Sequence, residues 1–138
     1  MKSFVGLLVL VASLCSCTPA QMSPGAQPGE KFASALERYE NLGQDEASYA
    51  LALTGSALAA AIESQALLDS LDYQRLGKAK FEVISSSQST ATACMDLRDL
   101  QVLDSAGFPV TNSLDRGTVL IEIEDGLISK FELLGSRC

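Results

Sequence analysis

The sequence contains no histidine and no tryptophan, and the missing histidine narrows the chemistry that the chain can perform. Histidine is the side chain that titrates near neutral pH, and it is the usual base beside a nucleophilic serine or cysteine. A zinc site would also lack its imidazole ligand. The composition therefore argues against nucleophilic catalysis and against a zinc centre.

Positive charge is also scarce. The chain has 10 lysines and arginines against 17 aspartates and glutamates, which gives a net charge of −7. Binding to nucleic acid requires a positive field along the phosphates, and an electrostatic hold on anionic lipid requires a basic cluster. We therefore expect no nucleic-acid partner and no charge-based attachment to a membrane.

The chain has one long uncharged hydrophobic run, and it lies at the N-terminus, from Phe4 to Leu14. About 20 apolar residues are needed to cross a bilayer, whereas the hydrophobic region of a signal peptide has roughly 7–15. The run follows Met1 and Lys2, which supply a short positive region. This pattern predicts an export signal over residues 1–16, with an uncleaved leader as the weaker alternative.

The four residues Leu14-Cys15-Ser16-Cys17 follow this run directly. They resemble the lipobox of bacterial lipoproteins, although Cys15 stands where that motif usually has Ala, Ser or Thr. The resemblance implies a diacylglyceryl thioether on Cys17, further acylation such as palmitate, and anchoring on the extracytoplasmic face of the cell membrane. Ordinary signal cleavage after Ala20 remains the alternative, and it would release a secreted protein.

Either cleavage removes Cys15, and Cys17 is acylated or removed, which leaves Cys94 and Cys138 in an oxidising compartment. We predict that they form a disulfide. Such a bridge closes a loop of about 45 residues and stabilises the fold by roughly 4 kcal/mol through chain entropy. The alternatives, a reactive thiol or a metal site, lack a supporting histidine.

Residues 17–29 carry three of the four prolines and no charge, which predicts a flexible linker before a domain over residues 30–138. With 138 residues, the chain has room for one domain. Phe32, Leu36 and Tyr39 recur at helical spacing and predict a helix from Glu30 to Leu42. Asp45 is a suitable N-cap for a second helix that continues to about Leu71.

From Lys78 the apolar period changes to two, which predicts antiparallel strands. We expect a bulge near Arg98–Asp99, where the apolar register skips. For the last hairpin we predict a three-residue loop, Glu124 to Gly126, which would pair Ile123 with Leu127. The expected fold class is α+β, with two N-terminal helices packed on a curved antiparallel sheet of four to five strands.

The segments Thr90–Leu97 (TATACMDL) and Val102–Val110 (VLDSAGFPV), Arg116 and the terminal Cys138 resemble a group of exported or lipidated actinobacterial proteins. Those proteins have the nuclear transport factor 2-like (cystatin-like) fold, in which a curved sheet wraps around helices as a cone. The likeness covers about the last 50 residues of the chain. It implies this fold and the Cys94–Cys138 bridge, and no particular activity.

Candidate acid–base residues are two aspartates and three tyrosines, and none forms a recognisable catalytic pair in the sequence: Asp96, Asp99, Tyr39, Tyr49 and Tyr73. Residues 122–126 (EIEDG) lack the alternating ligands of a calcium loop. We therefore expect a protein that is not an enzyme and has no cofactor.

Two hypotheses for function remain. The first is a non-catalytic envelope module that binds another envelope protein or a wall component through its sheet face or loops. The second is a carrier that holds a small apolar ligand inside the cone. A roomy apolar cavity would favour the carrier, and a cone filled by its own side chains would favour the interaction module.

Overall fold

The computed structural model describes residues 27–110, 115–135 and 137–138. The expected signal peptide, Cys17 and the linker up to residue 26 lie outside the described residues. Helices come first along the chain: α1 (Pro28–Glu40), α2 (Glu46–Tyr49) and α3 (Gly55–Ser70). The strands follow: β1 (Gln74–Leu76), β2 (Lys80–Ser86), β3 (Thr90–Asp96), β4 (Gln101–Leu103), β5 (Pro109–Val110), β6 (Arg116–Glu124) and β7 (Leu127–Leu133).

The strands form two antiparallel sheets, so the α+β class is confirmed, while the expectation of one sheet with four to five strands is wrong. The larger sheet has the order β2-β3-β6-β7, and the smaller one has the order β1-β4-β5. The bulge expected near Arg98–Asp99 is a change of sheet instead. After β3 the chain turns, with the amide of Leu100 bonded to the carbonyl of Leu97 at 3.0 Å, and then enters the small sheet.

Helix α1 buries the apolar stripe that the sequence predicts, since Phe32 and Leu36 are buried and Ala35 lies beside them. The helix begins at Pro28, two residues before the expected start, because a proline is well tolerated in the first turn, where its missing N–H has no partner to lose. Contacts with β2 and β7 place the helix on one face of the large sheet.

The expected single second helix is wrong, because the chain breaks it into α2 and α3. Asp45 caps α2 as predicted, since its carboxylate accepts the amide of Ser48 at 2.9 Å. Residues 50–54 then leave the helical path. Thr54 donates its amide to the carbonyl of Ile128 at 2.8 Å, and Ile128 donates to Ala52 at 2.9 Å. Backbone pairing with β7 therefore replaces helical hydrogen bonds at the amide of Thr54 and the carbonyl of Ala52, while the amide of Leu53 still bonds to the carbonyl of Tyr49 at 2.8 Å.

Helix α3 starts at Gly55, whose φ of +52° is a left-handed conformation. A Cβ placed there would lie 3.3 Å from the carbonyl oxygen of Ser129. The hydroxyl of Ser56 donates to that same oxygen at 3.1 Å. Glycine thus allows the start of α3 to approach β7 closely, instead of interrupting the middle of one long helix.

The last hairpin corrects another expectation. Ile123 pairs with Ile128 across a two-residue turn, Asp125–Gly126, and the three-residue loop is wrong. Both turn residues have positive φ, 51° and 79°, as a type I′ turn requires. A bulge at Ser129 then shifts the register, so that Ile121 lies opposite Phe131. The bulge places the apolar residues on one face of the sheet. The sequence alone favours a three-residue loop for this effect.

The core lies between the helices and one face of the large sheet. Phe32, Leu53, Ile121 and Ile128 are its largest fully buried side chains. Ala91 pairs with Ile121 and Ala93 with Val119, and all four side chains belong to this core. In the part of the chain that the structure describes, we find no helix that is long and apolar enough to cross a membrane.

The predicted disulfide is confirmed. Cys94 on β3 and Cys138 at the end of the chain are bonded, with their Cα atoms 5.7 Å apart. The Cys138 sulfur also lies 3.3 Å from the carbonyl oxygen of Gly117 on β6. The bridge therefore ties the C-terminus to the middle of the large sheet, where the last residues would otherwise fray.

Candidate functional site

The larger of two cavities found among the described residues has a volume of about 510 Å³, and we call it the main cavity. It lies between α3, the core-facing side of the large sheet and the small sheet. Its walls are mostly aliphatic or aromatic: Tyr39, Tyr49, Leu53, Ala57, Ala60, Ala61, Ser64, Leu68, Arg75, Ala79, Phe81, Met95, Leu97, Leu100, Val102, Val119, Phe131 and Leu133. The alanines of α3 create this space, because their short side chains do not reach the sheet.

Three aromatic rings form one wall of the main cavity. Tyr39 lies 5.2 Å from Phe131 and 5.9 Å from Phe81 between ring centroids, and the two phenylalanines are 5.7 Å apart. These distances are typical of aromatic pairs, which stabilise a wall by about 0.5–1.5 kcal/mol per pair beyond the area that they bury. The cavity thus has a wall that is itself well packed.

The polar groups of the main cavity gather at one end, around Arg75 of β1. The guanidinium donates from Nη1 to the hydroxyl of Tyr49 and from Nη2 to the hydroxyl of Ser64, both at 3.4 Å. The Tyr49 hydroxyl in turn donates to Oε1 of Gln65 at 3.3 Å. We call Tyr39, Tyr49, Ser64 and Arg75 the polar end of the cavity.

Burial raises the pKa of Tyr39 above its ordinary value, and the nearby Arg75 charge acts in the opposite direction. The Tyr39 phenol is therefore protonated at neutral pH and offers a hydrogen-bond donor. A tyrosine whose pKa is raised is a poor general base, so the phenol is suited to binding and poorly suited to proton abstraction.

A smaller cavity of about 120 Å³, which we call the side chamber, adjoins the polar end. The two cavities share Tyr39, Tyr49 and Arg75 in their walls. The side chamber is more polar, and it adds Glu40, Gln44 and Lys78 to its lining, among others. An apolar space thus continues into a small polar one through a common set of side chains.

The structure separates the five candidate acid–base residues. Tyr39 and Tyr49 line both cavities, while Asp96, Asp99 and Tyr73 line neither. Asp99 forms an ion pair with Lys80 at the exposed surface. Neither aspartate therefore lies in the cavity wall beside Tyr39 or Tyr49.

Asp96 lies at the end of β3 and is held by arginines. Its carboxylate accepts Nε of Arg98 at 2.9 Å, and Nε of Arg116 lies 3.8 Å away. Hydrogen bonds from the Arg98 side chain and backbone hold the pKa of Asp96 well below its usual range. The carboxylate is therefore ionised and occupied at neutral pH, as a structural ion pair would be.

Arg75 and Ser64 are site residues that the sequence did not predict. Arg75 lies between Gln74 and Leu76 on β1, and Leu76 is exposed while Arg75 is half-buried, the reverse of what their polarity suggests. Its inward direction depends on pairing with Val102 of β4, a contact distant in sequence. One sequence feature indicates Ser64 as a candidate. Its helical spacing from Ala57, Ala60 and Ala61 places a polar residue on the alanine face of α3.

We find no group of three or more histidine, cysteine, aspartate or glutamate side chains placed to hold a metal ion among residues 27–110, 115–135 and 137–138. The comparisons with protein-family models, with curated proteins and with solved structures found no match to this chain. A function is therefore inferred from the geometry of the main cavity.

Proposed function

We propose that this chain is a non-catalytic binding module of the cell envelope, and that it holds a small apolar ligand in the main cavity. The observation that carries the proposal is the cavity itself, which is about 510 Å³ in volume and is lined mainly by apolar side chains. Small-molecule sites typically have about 300–1,000 Å³ and are mostly apolar with a few placed polar groups.

The main cavity is partly open to solvent, so its apolar walls are exposed to water when no ligand is bound. Leu53 and Val119 line the cavity and belong to the buried core, so the space is continuous with the best-packed part of the molecule. A bound apolar ligand would remove these apolar walls from water, and this gain favours binding.

The location of the protein follows from its N-terminus in this proposal. Lipid on Cys17 anchors the chain at the extracytoplasmic face of a membrane, where several acyl chains give stable attachment. A linker of about ten residues reaches at most roughly 35 Å, so the cavity stays close to the bilayer surface. We also propose that the helices and sheets form a nuclear transport factor 2-like cone, which the helical layer on the large sheet supports.

The proposal is tested with the full chain, exported and purified in detergent, by native mass spectrometry. We expect a population whose mass exceeds that of the polypeptide and its anchor by one apolar small molecule, which organic extraction removes. In Ala60→Trp, an indole placed on the cavity wall should fill the space and abolish this population. Ala59→Trp is the matched control, because Ala59 is an exposed neighbour on α3 that lines neither cavity.

A bound population in the wild type and in Ala59→Trp, and its loss in Ala60→Trp, would support the proposal. The absence of any bound population after reconstitution with excess hexadecanoic acid and hexadecanol would contradict it. Equal retention in the two tryptophan variants would also contradict it, since the ligand would then lie elsewhere. The alternative, an envelope protein or wall partner at the sheet face, stays a prediction.

A further inference from the structure

We infer that the apolar ligand carries one anionic head group, a carboxylate or a phosphate, and that Arg75 binds this group at the polar end of the main cavity. This inference rests on the proposed function of the cavity, and it adds the chemical class of the ligand. The observation behind it is a half-buried guanidinium in the cavity wall that has only neutral partners.

Arg75 has no counter-ion among the residues that the structure describes. Each of the five ion pairs found there joins other residues, and no carboxylate oxygen comes within 4.0 Å of its guanidinium. Its two side-chain hydrogen bonds go to hydroxyl oxygens at 3.4 Å, which is long for such a bond. A partly desolvated guanidinium with weak neutral partners is poorly compensated, and a carboxylate or phosphate would pair with it in a two-pronged geometry.

The side chamber next to Arg75 adds to the positive charge. Lys78 lines it, and its ammonium donates to the side-chain oxygen of Asn41 at 3.3 Å, again a neutral partner. Glu40 also lines the chamber, but its Oε1 already accepts the amide of Phe81 at 2.7 Å. Two cations therefore face one carboxylate that is committed to a backbone hydrogen bond, and one anionic group would balance the local charge.

The net charge of −7 works against an anionic ligand at long range. Salt screens that repulsion beyond about 8 Å at physiological ionic strength, whereas a direct contact with a partly buried guanidinium is screened far less. The short-range pairing therefore outweighs the long-range field once the head group reaches Arg75.

The arrangement of the two cavities fits a molecule with two unlike ends. The apolar walls formed by α3, Phe81 and Phe131 suit a hydrocarbon chain, while the phenol of Tyr39 and the guanidinium of Arg75 supply donors to oxygen atoms at one end. A fatty acid or an alkyl phosphate has this form. A neutral hydrocarbon would leave Arg75 as it is, without a counter-ion.

The test uses the full chain in phospholipid nanodiscs and two photoreactive probes, hexadecanoic acid and hexadecanol, each with a diazirine in its chain. The measured quantity is the ratio of acid to alcohol cross-linked to the protein. Arg75→Gln removes the charge in the cavity, and Arg38→Gln removes an equal charge from the exposed side of α1, where Arg38 lines neither cavity. Because every variant is measured in the same nanodiscs, the partition of each probe into lipid cancels.

We expect the ratio to fall about tenfold in Arg75→Gln and to stay at the wild-type value in Arg38→Gln, as the loss of one charge-assisted hydrogen-bonding partner predicts. A purely structural role of Arg75 would lower the cross-linking of both probes equally, and that result would overturn the inference. An unchanged ratio in a folded Arg75→Gln would overturn it as well. Circular dichroism of each variant establishes folding. If Arg75→Gln is unfolded, Arg75→Lys replaces it in the test: it keeps the charge and loses the two-pronged geometry, so its acid-to-alcohol ratio should lie below the wild-type value and above one.

Two further arms separate the possible outcomes. Unlabelled hexadecyl phosphate and hexadecanoic acid compete with the acid probe, and the stronger competitor identifies the head group. If neither probe is cross-linked to the wild type, the proposed function fails together with the inference. If both are cross-linked within the main cavity with equal preference in every variant, the proposed function stands and the anionic head group is excluded.

Discussion

Nη1 of Arg75 lies 3.4 Å from the hydroxyl oxygen of Tyr49, and this contact joins β1 of the small sheet to the end of α2. Tyr49 is buried, and its ring packs in the hydrophobic core while its hydroxyl faces the cavity. One side chain thus supports the core and orients the cation of the polar end.

Two substitutions distinguish the contribution of the Tyr49 ring from that of its hydroxyl. Tyr49→Phe should lower the free energy of unfolding by less than about 1 kcal/mol, because a hydrogen bond as long as 3.4 Å contributes little. Tyr49→Ala should lower it by about 3–5 kcal/mol, since it removes a buried ring. Urea unfolding followed by circular dichroism measures both values. Similar losses in the two variants would contradict this division between ring and hydroxyl.

The Cys94–Cys138 bridge should dominate the stability of the C-terminal region. It spans 44 residues, and replacing both cysteines by serine should lower the free energy of unfolding by about 4 kcal/mol. Urea titrations with and without a phosphine reductant provide the measurement. The reductant should destabilise the wild type to the level of the double variant and leave that variant unchanged; a wild type that is insensitive to reductant would disprove the contribution.

The sign of the stability change in Gly55→Ala tests whether the chain breaks between α2 and α3. In the middle of a helix, alanine would stabilise the chain by up to about 1 kcal/mol relative to glycine. At φ +52° and with Ser129 O 3.3 Å from the new Cβ, alanine should instead destabilise it, by about 1–2 kcal/mol. Gly29→Ala is the control, since Gly29 lies within α1 and its Cβ would make only an ordinary contact with Ser86, at 3.5 Å. Thermal unfolding of both variants should show opposite shifts, and a stabilised Gly55→Ala would refute the break.

Acid should weaken the fold partly through Asp96. Its pKa is lower in the folded protein than its ordinary value of 3.8, because the Arg98 hydrogen bonds favour the ionised carboxylate. A lowered folded pKa contributes stability that is present above the unfolded pKa and is lost as the pH falls towards the folded pKa. Asp96→Asn should therefore be less stable than the wild type at pH 7, and the difference should shrink by pH 2.

Urea midpoints at pH 7 and at pH 2 measure that difference. Glu63→Gln, on the exposed face of α3, serves as the control for a general loss of negative charge. A difference in stability between the wild type and Asp96→Asn that grows on acidification would contradict a lowered pKa of Asp96 in the folded protein.

The sequence predicted the features that depend on local chemistry. The α+β class, the cap at Asp45 and the period-two burial along β3 follow from residue type and spacing. The disulfide prediction came from counting the cysteines that would remain after the expected signal cleavage, and the Cys94–Cys138 bond confirms it. These inferences needed no knowledge of which distant segments meet.

Three features that the sequence missed depend on contacts between distant segments. Helix α3 starts at Gly55 because the preceding backbone pairs with Ile128, more than 70 residues away along the chain. The bulge at Ser129 is held by Ser56 from the other side of that contact. Arg75 faces the cavity because β1 pairs with β4. A hydrophobic pattern cannot reveal such pairings, since it records only which residues prefer burial.

The central claim is that the main cavity binds the apolar chain of a ligand, and mapping the cross-links of the photoreactive hexadecanoic acid tests it most directly. Proteolysis and mass spectrometry of the labelled full chain should locate the label on cavity residues of α3 and β7, such as Ala61, Leu68 and Phe131, and Ala60→Trp should abolish it. Labels confined to exposed positions such as Phe108, which is 68% exposed, with the same yield in Ala60→Trp, would contradict the claim.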